Sequence, residues 1–287
     1  MKIIHAILLG LIQGITEFLP ISSSGHLVLF ENLFGLTSAE ETNLFFDVIL
    51  HFGTLIAIVV TYRRDIAEMI MAFLGIVSDI FHGNKPKPAR SKSDMPARRM
   101  VLLIVVATLP LFAVLPFQDA LESIRTRPWI VGVMLLMTGI LLFFSDRAGK
   151  GRKTERSASI VDVLVVGIAQ AIGTVPGISR SGSTISAGMF RGFDRQFAVR
   201  FSFLMSLPAV LGATVLSTVD AVKEEIDWSL VPCYIVGMVV SAVAGFFAIK
   251  IVRFVADKGK FGAFAYYCWA AGLVTIAASV IRTLVQG

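Results

Sequence analysis

The sequence predicts an all-α polytopic membrane protein, an inverted-topology repeat with six spanning helices and two re-entrant helical hairpins. Three observations predict it. The chain of 287 residues is 55% hydrophobic and only 16% charged, against roughly 25% charged residues in soluble domains, and its mean hydropathy is +0.79. Several apolar runs approach or exceed the roughly 20 residues that a helix needs to cross a bilayer. A polar motif near the N-terminus also recurs in the second half of the chain.

The first apolar run, 3–18, begins after Lys2 and has the position of a signal peptide. It continues into Gln13, Glu17 and Pro20 without a small-residue cleavage site, so we expect it to stay in the mature protein. Further along the chain, six spans are predicted near 44–62, 100–116, 128–145, 198–218, 229–250 and 263–283.

Segment 66–81 is apolar but has basic residues at both ends and Glu68 and Asp79 within it. This pattern favours a helix on the cytoplasmic surface over a further span. The two cysteines, Cys233 and Cys268, lie in predicted spans without metal-ligand spacing and are predicted to be free core thiols.

Loop charge predicts the orientation. Lys and Arg concentrate in 63–99 and 147–156, whereas acidic residues dominate 40–41 and 220–227. The positive-inside rule places the first two loops in the cytoplasm and the other two outside, so both termini are predicted outside. The net charge of +6 is explained by cytoplasmic loops beside anionic lipid and requires no nucleic-acid partner.

An internal repeat organises these elements. The motif "ISSSG" at 21–25 returns as "ISRSG" at 178–182. The same offset of 157 residues (178 − 21) aligns three further pairs without a gap: Gly10 with Gly167, Gln13 with Gln170, and Ile15 with Ile172. Three predicted spans separate the copies, and an odd number of crossings inverts the second one. We therefore expect one membrane domain built of repeats at about 1–145 and 158–287.

Each copy consists of an apolar run, a breaker and a shorter second run. The runs are 3–18 and about 23–35 in the first copy, and 160–175 and 180–192 in the second. Pro20 and the Pro176–Gly177 pair interrupt them. This predicts two re-entrant hairpins, one from each side of the membrane, whose tips meet near its middle.

The hairpin tips predict an anion site. Serines begin both second half-helices, whose N-termini favour negative charge, and Arg180 adds a guanidinium group. Phosphate or diphosphate is the natural occupant. Glu17 and Arg180 are ionisable at membrane depth, where such groups are costly and typically functional.

Several neighbouring residues have a structural interpretation as well. For Ser22, Ser24 and Ser186, a structural role in helix capping and packing fits the sequence as well as a role in the site. Gln170 is predicted to be a polar packing residue. Asp47 and His51, one helical turn apart, are weaker candidates for the same cavity.

The segments "QGITEFLPISSSGHL" at 13–27 and "PGISRSGSTIS" at 176–186 resemble the two signature segments of the undecaprenyl-diphosphate phosphatase family, also called bacitracin-resistance proteins. The likeness covers nearly the whole chain and includes "FFDVILHFGTLIAIV" and "FSFLMSLPAVLGA". It implies hydrolysis of undecaprenyl diphosphate to undecaprenyl phosphate and inorganic phosphate in the bacterial plasma membrane, which recycles the lipid carrier for cell-wall synthesis.

The resemblance also implies roles for individual residues. The catalytic residues it indicates are Glu17, Ser23, His26 and Arg180. Those it indicates for binding the phosphates are Gln13, Ser22, Ser24, Gly25, Ser179, Ser181, Gly182 and Thr184. Many members of the family have glutamate where this chain has Gln13, so Glu17 must supply the acidic function alone.

Two mechanisms remain open at this point. In the first, Ser23 attacks the terminal phosphorus and His26 accepts its proton. In the second, Glu17, or a Mg²⁺ or Ca²⁺ ion bound to Glu17, activates water, and diphosphate oxygens and water complete the ion's coordination shell. The alternative function is that of a lipid-phosphate flippase, with or without hydrolysis. The oligomeric state stays open, with a homodimer among the options.

Overall fold

All regular secondary structure in the residues that the computed structural model describes, 2–34, 44–81, 94–223 and 228–286, is helical, as predicted. The twelve α-helices within these ranges are α1 (Ile3–Phe18), α2 (Ser23–Phe34), α3 (Leu44–Thr61), α4 (Arg63–Phe81), α5 (Asp94–Thr108), α6 (Gln118–Arg125), α7 (Pro128–Arg147), α8 (Ile160–Ile172), α9 (Arg180–Phe190), α10 (Arg195–Lys223), α11 (Val231–Lys258) and α12 (Ala263–Gln286). Two 3₁₀ segments, Leu109–Phe117 and Trp228–Leu230, join them. Three parts of the predicted loops lie outside the described residues: the acidic pair at 40–41, residues 82–93 of the basic segment 63–99, and residues 224–227 of the acidic segment 220–227.

The described helices identify a multi-pass membrane protein. Four of them are long and apolar enough to cross a bilayer: Pro96–Leu121, α7, α11 and Ala263–Leu284. A fifth candidate is the α3–α4 pair, which bends by 87° between its two helices. Length and composition therefore support four or five spans in the described part of the chain, against six predicted. The remaining predicted span, 198–218, lies within α10, a 29-residue helix with Pro208 in its interior.

Proline and left-handed backbone break the two polar copies into half-helices where the sequence predicts breaks. In the first copy, Pro20 follows α1, and Ser22 adopts a positive φ of 71° just before α2. In the second copy, Gly177 has φ +93°, and a Cβ there would lie 2.5 Å from the carbonyl oxygen of Val131. Only glycine fits that position without moving α7.

The first half-helix of each copy packs closely on a long helix of the other. On α1, Gly10 and Gly14 form a small-xxx-small pattern, and added Cβ atoms would lie 2.6 Å and 2.5 Å from backbone oxygens of α11. On α8, Gly167 makes the same kind of approach to α5, 2.3 Å from the oxygen of Ala107. Gly10 and Gly167 are repeat partners. The other main helix pairs are α7 with α12, α3 with α11, and α3 with α10.

Asp162 connects the start of α8 to Arg191, which follows the end of α9. Its buried carboxylate accepts hydrogen bonds from Lys153 Nζ at 2.8 Å, from Arg191 Nε at 2.8 Å and from the backbone N–H of Ser159 at 2.9 Å. Ser159 and Asp162 also form a capping box at the start of α8. Burial would raise the pKa of Asp162, but the hydrogen bonds from Lys153, Ser159 and Arg191 outweigh burial and hold the pKa below its ordinary value.

We expect Asp162→Asn to destabilise the fold by about 3 kcal/mol, the low end for a broken buried ion pair, because both cations are themselves 39% exposed. Since the folded-state pKa is lowered, the contribution is present at neutral pH and is lost as the pH falls through that pKa. Thermal unfolding of the parent and of Asp162→Asn in detergent at pH 7 measures this loss of stability.

The matched control is Asp79→Asn, which breaks the partly exposed Asp79–Arg98 pair, 2.9 Å apart. A pair of this kind contributes about 0–1 kcal/mol. Equal melting temperatures for the two variants would contradict a stabilising role for Asp162.

Candidate active site

An ion pair between Glu17 and Arg180 connects the two hairpins. Glu17 lies in the last turn of α1, and Arg180 is the first residue of α9. The two partners are 163 residues apart in sequence. The Glu17 side chain is 7% exposed and that of Arg180 is 27% exposed. Each charge therefore has a counter-charge inside the protein, where burying either one alone would be costly.

The Glu17 carboxylate also accepts two hydrogen bonds from its own hairpin. Ser23 Oγ donates to Glu17 Oε2 at 2.9 Å, and Gln13 Nε2 donates to the same oxygen at 3.1 Å. Gln13 lies one turn before Glu17 on α1, as its spacing predicts. The hydroxyl proton of Ser23 is thus directed at a carboxylate.

Ser22 and Ser179 cap the two second half-helices in the same way. Ser22 Oγ accepts from the backbone N–H of Gly25 at 3.2 Å, and Ser179 Oγ accepts from that of Gly182 at 3.1 Å. Both serines are buried. Ser22 thus caps α2, and the two caps place the first N–H groups of α2 and α9 at the tips.

In each motif, the serine two residues after the cap bonds to the opposite pair of half-helices. Ser24 Oγ accepts from the backbone N–H of Gly177 at 3.3 Å. Ser181 Oγ donates to the carbonyl oxygen of Leu19 at 3.3 Å. These reciprocal bonds hold the tips together, so the two motifs form a single site, as predicted.

Two further hydroxyl groups support the tip of α9. Thr138 on α7 accepts from the backbone N–H of Ser179 at 3.1 Å and donates to the carbonyl oxygen of Gly177 at 3.2 Å. Thr184 donates to the carbonyl oxygen of Arg180 at 2.9 Å and shares a hydrogen bond with Ser202 on α10. The sequence did not single out Thr138, because a lone threonine in an apolar helix has no distinguishing signal.

The hydrogen bonds of the His26 ring go to Ser22 and Tyr267 and not to Ser23, whose proton the first mechanism gives to His26. Its Nδ1 is 2.7 Å from the carbonyl oxygen of Ser22, which can only accept, so Nδ1 carries the proton. In the neutral ring Nε2 then accepts from the hydroxyl of Tyr267 at 2.7 Å, and the two rings stack. Both ring nitrogens of His26 are occupied, and the structure brings Ser23 to Glu17 instead. Tyr267, on α12, has no signal in the sequence.

A cavity of about 160 Å³ opens between the tips. Its lining residues are Thr16, Glu17, Ser22, Ser23, Ser24, His51, Gly173, Thr174, Ile178, Ser179 and Arg180. The lining unites the predicted acid and arginine with four of the five predicted serines, whereas the predicted residues Ser181, Thr184, Gln13 and His26 are not part of it. It also contains His51, a weaker candidate in the sequence, whose Nδ1 donates to the carbonyl oxygen of Asp47 at 2.8 Å.

The donor set at this cavity fits a divalent cation poorly. Among the residues that the structure describes, no group of three His, Cys, Asp or Glu side chains could hold a metal ion. Glu17 is the one carboxylate in the described lining, and both its oxygens already have partners. Mg²⁺ and Ca²⁺ need six or more oxygen ligands, most of which substrate and water would have to supply.

Comparison with known proteins gives a consistent result. The family model described as Bacitracin resistance protein BacA matches residues 6–274. Three relatives bear the name undecaprenyl-diphosphatase. The protein of Methanosphaera stadtmanae is 40% identical over 98% of this chain and 99% of its own length. That of Halothermothrix orenii is 39% identical over 96% and 98%, and that of Alkaliphilus metalliredigens is 38% identical over 98% and 100%.

Proposed function

The chain belongs to the bacitracin resistance protein BacA family, and on that premise we propose that it is an undecaprenyl-diphosphatase of the bacterial plasma membrane. It hydrolyses undecaprenyl diphosphate to undecaprenyl phosphate and inorganic phosphate, and so returns the lipid carrier to cell-wall synthesis. The observation that carries the proposal is the cavity where Arg180, two helix N-termini and the Ser23–Glu17 pair face one another. The names of the relatives favour hydrolysis over the flippase alternative.

The cavity suits a diphosphate held at the end of an apolar tail. Besides the Glu17 carboxylate, the lining contains serine hydroxyls, the Arg180 guanidinium and the starts of α2 and α9, and these groups bind phosphate oxygens well. The surrounding helices are apolar on their outer faces, so a long isoprenoid can stay in the lipid while its head group enters.

In the proposed first step, Ser23 Oγ attacks the terminal phosphorus while its proton passes to Glu17. The bond from that phosphorus to the bridging oxygen breaks, and undecaprenyl phosphate leaves with the proton from Glu17. Arg180 and the N–H groups at the helix starts neutralise the charge on the equatorial oxygens. Water then hydrolyses the phosphoserine and releases inorganic phosphate. Glu17 replaces His26 as the base because the hydrogen bond from Ser23 goes to Glu17.

The ion pair links Glu17 to substrate binding. Arg180 bonds the Glu17 carboxylate, and a bound diphosphate competes for the same guanidinium. When Arg180 turns toward phosphate, that carboxylate oxygen is released, and the hydrogen bond from Ser23 to Glu17 remains.

The architecture we propose is the inverted repeat with six spans, two re-entrant hairpins and both termini outside. The shared close approach of Gly10 and Gly167 supports it, as do the matching caps at Ser22 and Ser179. The packing of α1 on α11 also has a counterpart in the packing of α8 on α5, in which each helix is replaced by its equivalent in the other copy. The 87° bend before α4 supports the prediction that 66–81 lies on the cytoplasmic surface.

A divalent cation and a homodimer remain predictions. An ion at this site would bind Glu17 and depend on diphosphate oxygens and water for its other ligands. No step of the proposed mechanism passes through it.

Purified protein in detergent should release inorganic phosphate from undecaprenyl diphosphate. Ser23→Ala should lower kcat on the order of 10³-fold or more, as loss of a nucleophile does in other covalent catalysts. The control is Ser145→Ala, a buried serine that bonds only the preceding turn of α7. A folded parent protein without phosphate release would contradict the function, and an active Ser23→Ala would remove Ser23 from the chemistry.

Arg180→Ala should lower kcat on the order of 10²-fold or more, because a preorganised charge at the transferring phosphoryl group is lost. Arg180→Lys should restore little of it, since lysine lacks the planar fork that binds two oxygens at once. Arg180→Ala also leaves Glu17 unpaired, so adding Glu17→Gln should raise the melting temperature of the Arg180→Ala protein. Rates within a few-fold of the parent for Arg180→Ala would contradict the assignment.

A further inference from the structure

Tyr267 on α12 contacts the start of α2 through the ring of His26. The Tyr267 hydroxyl donates to Nε2 of His26 at 2.7 Å, and the two rings stack with an interplanar angle of 3°. His26 is buried, and its Nδ1 donates in turn to the carbonyl oxygen of Ser22 at 2.7 Å. The next residue of α12, Cys268, donates through Sγ to the carbonyl oxygen of Pro20 at 3.7 Å. Two neighbouring residues of α12 thus contact the break before α2.

Ser22 has a backbone conformation that its surroundings must hold. Its φ of 71° lies in the left-handed region, which residues other than glycine rarely adopt. Its carbonyl oxygen accepts twice from His26, from the backbone N–H at 3.2 Å and from Nδ1 at 2.7 Å. The bond from the ring is the shorter of the two, and it fixes the direction of this carbonyl group.

The Ser22 carbonyl shares one planar peptide unit with the N–H group of Ser23. This peptide bond is trans, so the N–H points away from the carbonyl oxygen. The carbonyl points into α2, where His26 binds it, so the N–H of Ser23 points out of the start of the helix. The first N–H groups of a helix have no helical partner. Because Ser22 and Ser23 line the cavity of about 160 Å³, this N–H is available to a phosphate oxygen there.

We propose that Tyr267 is a positioning residue for phosphoryl transfer, acting through His26 on the peptide between Ser22 and Ser23. The inference rests on the proposed function and deepens it. The held peptide places two groups of Ser23: the N–H that faces the phosphate oxygens, and the Oγ that bonds Glu17 at 2.9 Å. Neither His26 nor Tyr267 lines the cavity, so both act from behind its wall.

The other tip is supported in a comparable way. Thr138 on α7 bonds the backbone N–H of Ser179 and the carbonyl oxygen of Gly177. Helices α7 and α12 pack on each other. One helix pair therefore supplies a hydroxyl group behind the start of α9 and another behind the start of α2.

The first test is Tyr267→Phe, which removes the hydroxyl and keeps the stacked ring. Its kcat for phosphate release from undecaprenyl diphosphate should fall about 5- to 10-fold, as expected for the loss of one hydrogen bond. KM should change little, because Arg180 and the rest of the lining are kept. Tyr266→Phe is the matched control, since the Tyr266 ring contacts Phe143 and Trp269 on the same helix face region without reaching His26. It should keep the parent kcat.

The second test replaces His26 with two different amides. The amide nitrogen of asparagine can take the place of Nδ1, whereas that of glutamine takes the place of Nε2. His26→Asn should keep the bond to Ser22 and lose only the link to Tyr267, so its kcat should match that of Tyr267→Phe. His26→Gln is the better helix former but loses the bond to Ser22, and its kcat should fall on the order of 10²-fold, the effect of a misplaced reactant.

The double variant separates positioning from packing. Tyr267→Phe added to His26→Asn should cost nothing further, because the tyrosine acts through the histidine. A packing role for the tyrosine predicts losses that add. This comparison still decides the question where His26→Gln does not fold.

Four results would overturn the proposal: parent-like kcat in Tyr267→Phe, an equal loss in Tyr266→Phe, additive losses in the double variant, or equally large losses in His26→Asn and His26→Gln. The last of these is the result expected if His26 accepts a proton, because neither amide can do so. A parent protein that releases no phosphate would contradict the proposed function itself. Failure of the Tyr267 assignment is distinct from that outcome, because it is seen beside an active parent.

Discussion

The ion pair between Glu17 and Arg180 is the interaction on which the site depends. Both side chains are mostly buried in the protein, where an unpaired charge is costly, so the two pairs of half-helices that supply them must meet for either charge to be buried. Once they meet, the Glu17 carboxylate accepts the hydrogen bond of Ser23 and holds the tip of α2 against that of α9. The position of Ser23, the proposed nucleophile, and the association of the two halves thus follow from the same contact.

The two copies of the repeat keep the same backbone chemistry and differ in reactivity. Each motif begins with a serine that caps its helix and contains a serine that bonds the opposite break. Between these serines, Ser23 and Arg180 occupy equivalent positions under the offset of 157 residues. One copy therefore supplies the proposed nucleophile and the other supplies the cation. A symmetric scaffold in this way forms an asymmetric site suited to phosphoryl transfer.

Local signals in the sequence predicted the half-helices well and the contacts between distant helices poorly. Prolines and serine caps act on their immediate neighbours, which is why the run predicted at 160–175 appears as Ile160–Ile172. The bond from His26 to Tyr267 joins residues 241 positions apart and has no local signature. Gln170, predicted to be a polar packing residue, is fully buried, and neither polar atom of its side chain has a hydrogen-bond partner among the described residues. A sequence does not show whether a buried amide finds a partner. Prolines inside the predicted span 100–116 gave a 3₁₀ segment at Leu109–Phe117.

The central claim is that the phosphoryl group passes through Ser23 with Glu17 as the base. The most direct test is the stereochemical course at a terminal thiophosphate made chiral with oxygen isotopes. Two in-line displacements, first by Ser23 and then by water, each invert the phosphorus, so the account predicts overall retention of configuration. Overall inversion would show a single attack by water and would contradict the covalent role of Ser23.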